Sequence, residues 1–293
     1  MRNEIIDLVN KEFKTNKKIF FLTADLGFSV LDNTRKIFKK NFINVGVAET
    51  NMILLASGIF EATKNKVYAY SISPFLTLRT LEVLRNYISN DKRQICLIGV
   101  GSGVSYDKMG KTHFNLDDIN AIYSLKNILI FNPANEDELR FLFKKFGKIK
   151  TPTYFRINKF PHKNKFGLIK RSNFFYKQGN KFNVIVSGAI LNNFCSMYTT
   201  KELNQFNIIS LPIFSKNYNK LFYNHLIKGK TLFLVDSSRT LLFEEMKSIV
   251  EKLTHKKSIN FDFNHNKIKK VNSEKELLLQ MGFSKKNISK FLY

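Results

Sequence analysis

A chain of 293 residues with 44% hydrophobic content is long enough for two packed units, on a prior of roughly 150 residues per domain. No apolar run reaches the ~20 residues of a bilayer-spanning helix, and the amphipathic start MRNEIIDLVNKEF carries acids, unlike a secretory signal; a cytoplasmic, non-membrane protein is expected. Basic residues outnumber acidic ones 48 to 23, a net charge of +25, which suggests an anionic partner, but they are spread along the chain without a helix-turn-helix, RNP or zinc-finger signature, so nucleic acid is not the expected one.

From the N-terminus, RNEIIDLVNKEFK has helical spacing and leads into strand-like KIFFLTADLG, then helix TRKIFKK and strand NFINVGV. Helix ETNMILLASGIFEAT, strand KVYAYSI, helix FLTLRTLEVLRNYI, strand RQICLIGV, helix DDINAIYSL, strand NILIFN, helix NEDELRFLFKKF and strand TYFRI follow. Such alternation predicts an α/β fold, a doubly wound and mostly parallel sheet with helices on both faces. The Lys-, Asn- and Phe-rich stretch after Lys159 breaks the rhythm and reads as a linker over 161–181. A smaller α/β unit is expected over 182–293: strand NVIVSGA, helix NNFCSMYTTKELNQF, strands NIISLP and TLFLVDS, helix LLFEEMKSIVEKL and two short terminal helices. Cys96 and Cys195 lack CxxC spacing and read as reduced core residues, and the five histidines suggest no metal site.

Chemistry concentrates at the ends of the first unit's strands. In FINVGVAETNM the run Phe42, Ile43, Val45, Val47 is dense enough for a buried strand, Gly46 permits the turn out of it, and Met52, Leu55, Ile59 and Phe60 mark the next helix. Glu49 then falls beyond the carboxyl end of a strand, where ligands of open α/β sheets sit; a plain helix-start carboxylate is the competing reading. ADLGFS places Asp25 and Ser29 at another strand end, where an ordinary Asp-capped turn is the alternative.

These segments resemble the pyrimidine-binding domain of transketolases, whose glutamate motif reads close to GIAEQNM where this chain has GVAETNM. The resemblance covers most of the chain, is strongest from Arg2 to Lys159, and implies a thiamine diphosphate enzyme with a transketolase C-terminal-like second domain. It implies that Glu49 bonds the aminopyrimidine of the cofactor as one end of a proton relay, that Phe75 in YSISPFLTLR stacks on that ring, and that Asp25 lies near the cofactor. It further implies that His113, in GKTH, contacts substrate oxygens and that Arg2, Ser29 and Lys159 contact a substrate phosphate, for which Arg offers a bidentate fork and Lys a point charge. Position 50 is Thr rather than the usual Gln, one stacking aromatic is replaced by Ile72, an acidic sugar contact by Met109, and a phosphate-contacting histidine by Gly101.

The family holds Mg²⁺ and the diphosphate through a GDG motif, and this chain has none. The reading is therefore the C-terminal subunit of a split transketolase, a ketol transferase acting on sugars or sugar phosphates. A separate N-terminal subunit would carry the diphosphate-binding domain and the Mg²⁺, around a homodimer core within a heterotetramer. Alternatives are a deoxyxylulose-phosphate-synthase-like enzyme, a 2-oxoacid dehydrogenase β-like subunit, or a non-catalytic regulatory or nucleic-acid-binding protein.

Overall fold

The computed structural model describes residues 1–27, 29–89, 93–125, 127–215 and 220–293; Phe28 of the ADLGFS motif lies outside them. The strands are β1 Ile19–Thr23, β2 Phe42–Asn44, β3 Lys66–Ile72, β4 Ile95–Val100, β5 Leu129–Phe131, β6 Thr153–Ile157, β7 Ile169–Arg171, β8 Phe174–Lys177, β9 Phe182–Ser187, β10 Phe206–Ser210, β11 Ile213–Phe214, β12 Thr231–Val235 and β13 Ser258–Asn260. The helices are α1 Arg2–Thr15, α2 Asp32–Phe38, α3 Glu49–Thr63, α4 Ser73–Thr77, α5 Leu81–Val83, α6 Asp118–Ser124, α7 Glu136–Phe146, α8 Ile190–Cys195, α9 Thr200–Leu203, α10 Leu241–Thr254, α11 Glu274–Gln280 and α12 Lys285–Leu292.

Two mixed, mostly parallel sheets result. The seven-stranded one runs β11-β5-β6-β4-β3-β1-β2, antiparallel only where β11 meets β5. The six-stranded one runs β13-β12-β9-β10-β8-β7, parallel through β10 and antiparallel beyond it. Every residue of β3 and β4 is buried, as central parallel strands covered on both faces require, and their sequences are near-continuous apolar runs for that reason. One face is covered by Ile5, Val9 and Phe13 of α1 with Leu139, Leu142 and Phe146 of α7. Met52, Ile53 and Ala56 of α3 cover the other.

Local departures from the sequence reading have physical causes. β2 is the edge of its sheet and half-buried, so FINV is not a buried strand, and Val47 beyond it is 75% exposed. The buried face of α3 is Glu49, Met52, Ile53, Ala56 and Ser57; Leu55 lies on the open side. The single helix expected over FLTLRTLEVLRNYI is broken into α4, α5 and a π-helical turn Leu84–Ile88. The Thr77 and Thr80 hydroxyls donate to the carbonyls of Ser73 and Leu76 four residues back, a contact that bends helices.

In the second unit, NNFCSMYTTKELNQF splits into α8 and α9, because Thr199 and Glu202 form a capping box that starts a new helix. The stretch 161–181 contains the β7–β8 hairpin, and Phe174 and Phe175 of β8 are buried against the second sheet's cores. Both cysteines are free and buried.

Candidate functional site

The segments singled out in the sequence all leave the carboxyl ends of parallel strands of the first sheet. Asp25 follows β1, Glu49 follows β2, Phe75 follows β3, the His113 loop follows β4, and Lys159 follows β6. Parallel strands point their carboxyl ends the same way, so residues more than a hundred positions apart gather along one rim.

Glu49 opens α3 and is only 2% exposed. Its Oε2 accepts a charged hydrogen bond of 2.6 Å from Arg79 Nη1, while Oε1 has no partner among the described residues. Gly46, at φ 75°, makes the turn into the helix. Asn44 Oδ1 accepts from the Gly46 N–H at 3.1 Å and from the Asp25 N–H at 2.9 Å, and Asn44 Nδ2 donates back to Asp25 Oδ1 at 3.1 Å. This double contact holds Asp25 at φ 52°, a left-handed conformation that costs a non-glycine residue about 1 kcal/mol or more. Asn44 thus couples the ADL turn to the glutamate turn.

From Glu49 a line of flat groups leads away. The Arg79 guanidinium lies over the Phe75 ring, 4.2 Å from its centroid. Phe75 meets the His113 imidazole edge-on, centroids 5.1 Å apart, and His113 lies 6.1 Å from the Tyr106 ring. Lys159 Nζ sits 5.0 Å from the Tyr106 centroid, and the Arg2 guanidinium lies against the Tyr106 hydroxyl. Burial pulls the half-buried His113 below its ordinary pKa, favouring the neutral ring, with Thr112 Oγ1 3.0 Å from Nδ1.

The three phosphate-contact candidates share two cavities through Arg2. One, of about 320 Å³, is lined by Arg2, Ser29, Asn10 and Asp7; the other, of about 250 Å³, by Arg2, Lys159, Glu4 and Glu136. Arg2 Nε is buried without a hydrogen-bond partner, and Ser29 is held at φ 63°. At Gly101 an added Cβ would lie 2.3 Å from the Tyr106 ring, so Tyr106 fills the space a side chain there would take. Met109 is 59% exposed.

Arg79, Tyr106 and Asn44 carry contacts that sequence reasoning did not assign. Arg79 stands within the quoted PFLTLR, four residues after Phe75 in a nominal helix, the spacing at which a cation and a ring meet. An Asn directly before a Val-Gly turn was the available signal for Asn44.

The His113 loop is also anchored from the second unit. Arg156 of β6 is fully buried: Nε donates to Asp118 Oδ2 at 2.9 Å, Nη1 to Asp236 Oδ1 at 2.5 Å, and Nη2 to the carbonyls of Asn115 at 2.7 Å and Asp236 at 2.9 Å. Ser237 Oγ and the Ser238 N–H both donate to the Leu116 carbonyl at 2.6 Å, and the Glu274 N–H donates to Asp107 Oδ2 at 3.2 Å. Burial pushes the Asp236 carboxyl up, opposed by Arg156. Among the described residues no group of three or more His, Cys, Asp or Glu is placed to hold a metal ion, and no helix is long and apolar enough to cross a membrane.

Residues 1–160 match the transketolase pyrimidine-binding domain family, more than half of the chain, and the chain belongs to that family. It is 30% identical over 146 residues to a Methanocaldococcus jannaschii protein called a putative transketolase C-terminal section, covering 49% of this chain and 46% of that one. It is 30% identical over 123 residues to an apulose-4-phosphate transketolase subunit of Actinobacillus succinogenes, covering 42% of this chain and 39% of that one. The chain thus matches about half the length of such curated relatives. A solved structure described as a split gene transketolase, inactive beta4 tetramer, shares the fold with TM-score 0.76 at 18% identity, over 99% of this chain and 96% of that one.

The family carries thiamine diphosphate chemistry, and the rim suits the flat nitrogen heterocycle of that cofactor. Among the described residues one Glu49 carboxylate oxygen has no partner in a nearly closed position, and the Phe75 face already accepts a planar cation.

Proposed function

We propose that the chain is the C-terminal subunit of a transketolase-like enzyme that transfers a two-carbon ketol unit between sugars or sugar phosphates. A separate subunit would contribute the diphosphate-binding domain and Mg²⁺, completing a cofactor site that this chain only half provides. The observation that carries the reading is the line Glu49, Arg79, Phe75, His113 at the strand ends.

In this reading the bound thiamine diphosphate supplies the electron sink that stabilises the carbanion left when a carbon–carbon bond breaks. Glu49, at the start of α3, holds or passes a proton at the aminopyrimidine nitrogen. Phe75 offers a ring face, Asp25 lines the cofactor side of the β1 turn, and neutral His113 donates to or accepts from substrate oxygens. Arg2, Ser29 and Lys159 bind an anionic end of the substrate in the two cavities that meet at Arg2. The division into a pyrimidine-binding unit at 1–160, a connector at 161–181 and a transketolase C-terminal-like unit at 182–293 belongs to the same proposal, with the proviso that the β7–β8 hairpin is built into the second sheet.

Exposed Val47, Leu54, Leu55 and Leu78, 75%, 40%, 37% and 39% accessible beside the Glu49 site, support a homodimer core within a heterotetramer. Calorimetric titration with thiamine diphosphate and Mg²⁺ tests the split. The chain alone should show no tight binding and no ketol transfer, and adding a GDG-containing subunit should produce both. Robust turnover by the chain alone would contradict the proposal.

A further inference from the structure

A cavity of about 500 Å³ opens between the 161–166 segment, α8 and the terminal helices α11 and α12, and it shares no lining residue with the Glu49 line. Its apolar surface comes from Phe166, Met197, Leu278, Leu279 and Phe283. Four lysines, Lys163, Lys165, Lys275 and Lys285, stand around it, and no acidic residue lines it. Lys285 is held by Glu202 at 2.5 Å; among the described residues Lys163, Lys165 and Lys275 have no acidic partner.

A lysine-rich chain places lysines on many surfaces, and what separates this cavity is the company they keep. The two cavities that meet at Arg2 have acids in their lining beside the cations, Asp7 in one and Glu4 and Glu136 in the other, and this cavity has none. Here Lys163, Lys165 and Lys275, all exposed, stand around an apolar hollow with no acid in its lining, so an anion seated there would face cations alone. The His162 imidazole, on the same wall, is pulled down to about 4 by burial, with the N-terminal ammonium and Lys165 acting in the same direction. At pH 7 it is therefore a neutral donor and acceptor.

We propose that this cavity binds a small amphipathic anion: an apolar or flat body the size of a nucleoside or aryl group, carrying a phosphate or carboxylate head. The volume lies in the usual range for such ligands, roughly 300–1,000 Å³. The apolar floor takes the body, the lysines take the head, and Asn193 and Ser284 are placed for its polar atoms. The site lies two residues beyond Lys159, and Pro161 lines both this cavity and the one at Arg2 and Lys159, so an occupant stiffens the segment next to a candidate substrate contact.

The test is a fluorescence titration of the full chain with 8-anilinonaphthalene-1-sulfonate, beside N-phenyl-1-naphthylamine, the same ring system without the sulfonate. Two variants remove the charge logic: Lys163→Gln with Lys275→Gln, and Leu279→Glu, which adds an acid at a side chain already 49% exposed and so spares the fold. Circular dichroism melts check that both variants fold. The unaltered chain should bind one more sulfonate dye than either variant, at least ten-fold tighter than the uncharged amine, and AMP or 1-naphthoate should displace that dye. Displacement by AMP identifies a phosphate head and by 1-naphthoate a carboxylate head. Equal dye stoichiometry in the variants, or equal affinity for the uncharged amine, overturns the proposal.

Discussion

Two carboxylate–guanidinium pairs lie in the same molecule and in different solvents. Glu49 and Arg79 meet at the rim, where the Arg79 side chain is 46% exposed; Asp236 and Arg156 meet beneath it, at 8% and 0%. At the rim only the arginine is in water, so the pair is worth more than the about 0–1 kcal/mol of a fully exposed pair and less than one buried on both sides. In the interior, removing Arg156 strands the buried carboxylates of Asp118 and Asp236, and that costs about 3–5 kcal/mol. The first pair is suited to exchanging its partner for a ligand. The second, spanning β6, the His113 loop and the end of β12, is suited to holding geometry.

The contrast breaks first at Arg156. Arg156→Ala should lower stability by about 3–5 kcal/mol in urea unfolding, because Asp118 and Asp236 lose their cation, and an effect below about 1 kcal/mol would make the buried cluster no stronger than the rim pair. A smaller effect is expected with pH. Burial, then the negative Asp236 and Asp107, raises half-buried Glu274 from 4.5 to about 7, so between those values the folded chain holds a proton that the unfolded chain has released. Stability should therefore fall as pH rises from about 4.5 to 7 and level off above, with Glu274 contributing at most ~2 kcal/mol after allowance for its partial exposure. Glu274→Gln should flatten that part of the slope in melts across pH, leaving the share of Glu138, likewise raised to about 7 by burial. The smallest change belongs to the rim: with Arg79 half in water, Arg79→Ala should lower stability by about 1–2 kcal/mol, and a loss of about 3 kcal/mol or more in the same assay would erase the contrast.

How much of this was readable in advance follows the range of the interactions involved. β6 over TYFRI, the start of α3 at Glu49 and the N-cap of α7 at Asn135 are set by local patterning, and each coincides with the sequence reading or sits within a residue of it. The gathering of Asp25, Glu49, Phe75, His113 and Lys159 on one rim was legible too, because parallel connections put successive strand ends on the same side. Arg79 was not, since its role depends on a bend after Thr77 that a continuous helical pattern conceals. The Arg156 cluster was out of reach because Asp236 lies 80 residues away, beyond the end of a strand in the other sheet. The β7–β8 hairpin was hidden by polar IKR, an exposed edge strand whose residues show no apolar alternation.

The central claim is that Glu49 acts as a proton carrier, and it is tested most directly in a complex reconstituted with a GDG-containing subunit and thiamine diphosphate. Deuterium exchange at the cofactor's thiazolium carbon, followed by quenched-flow NMR, isolates the proton step from substrate binding. With the cofactor still bound, Glu49→Gln should slow that exchange by about 10²–10⁴-fold, the usual span for a positioned acid–base group. Unchanged exchange in the loaded variant would contradict the account.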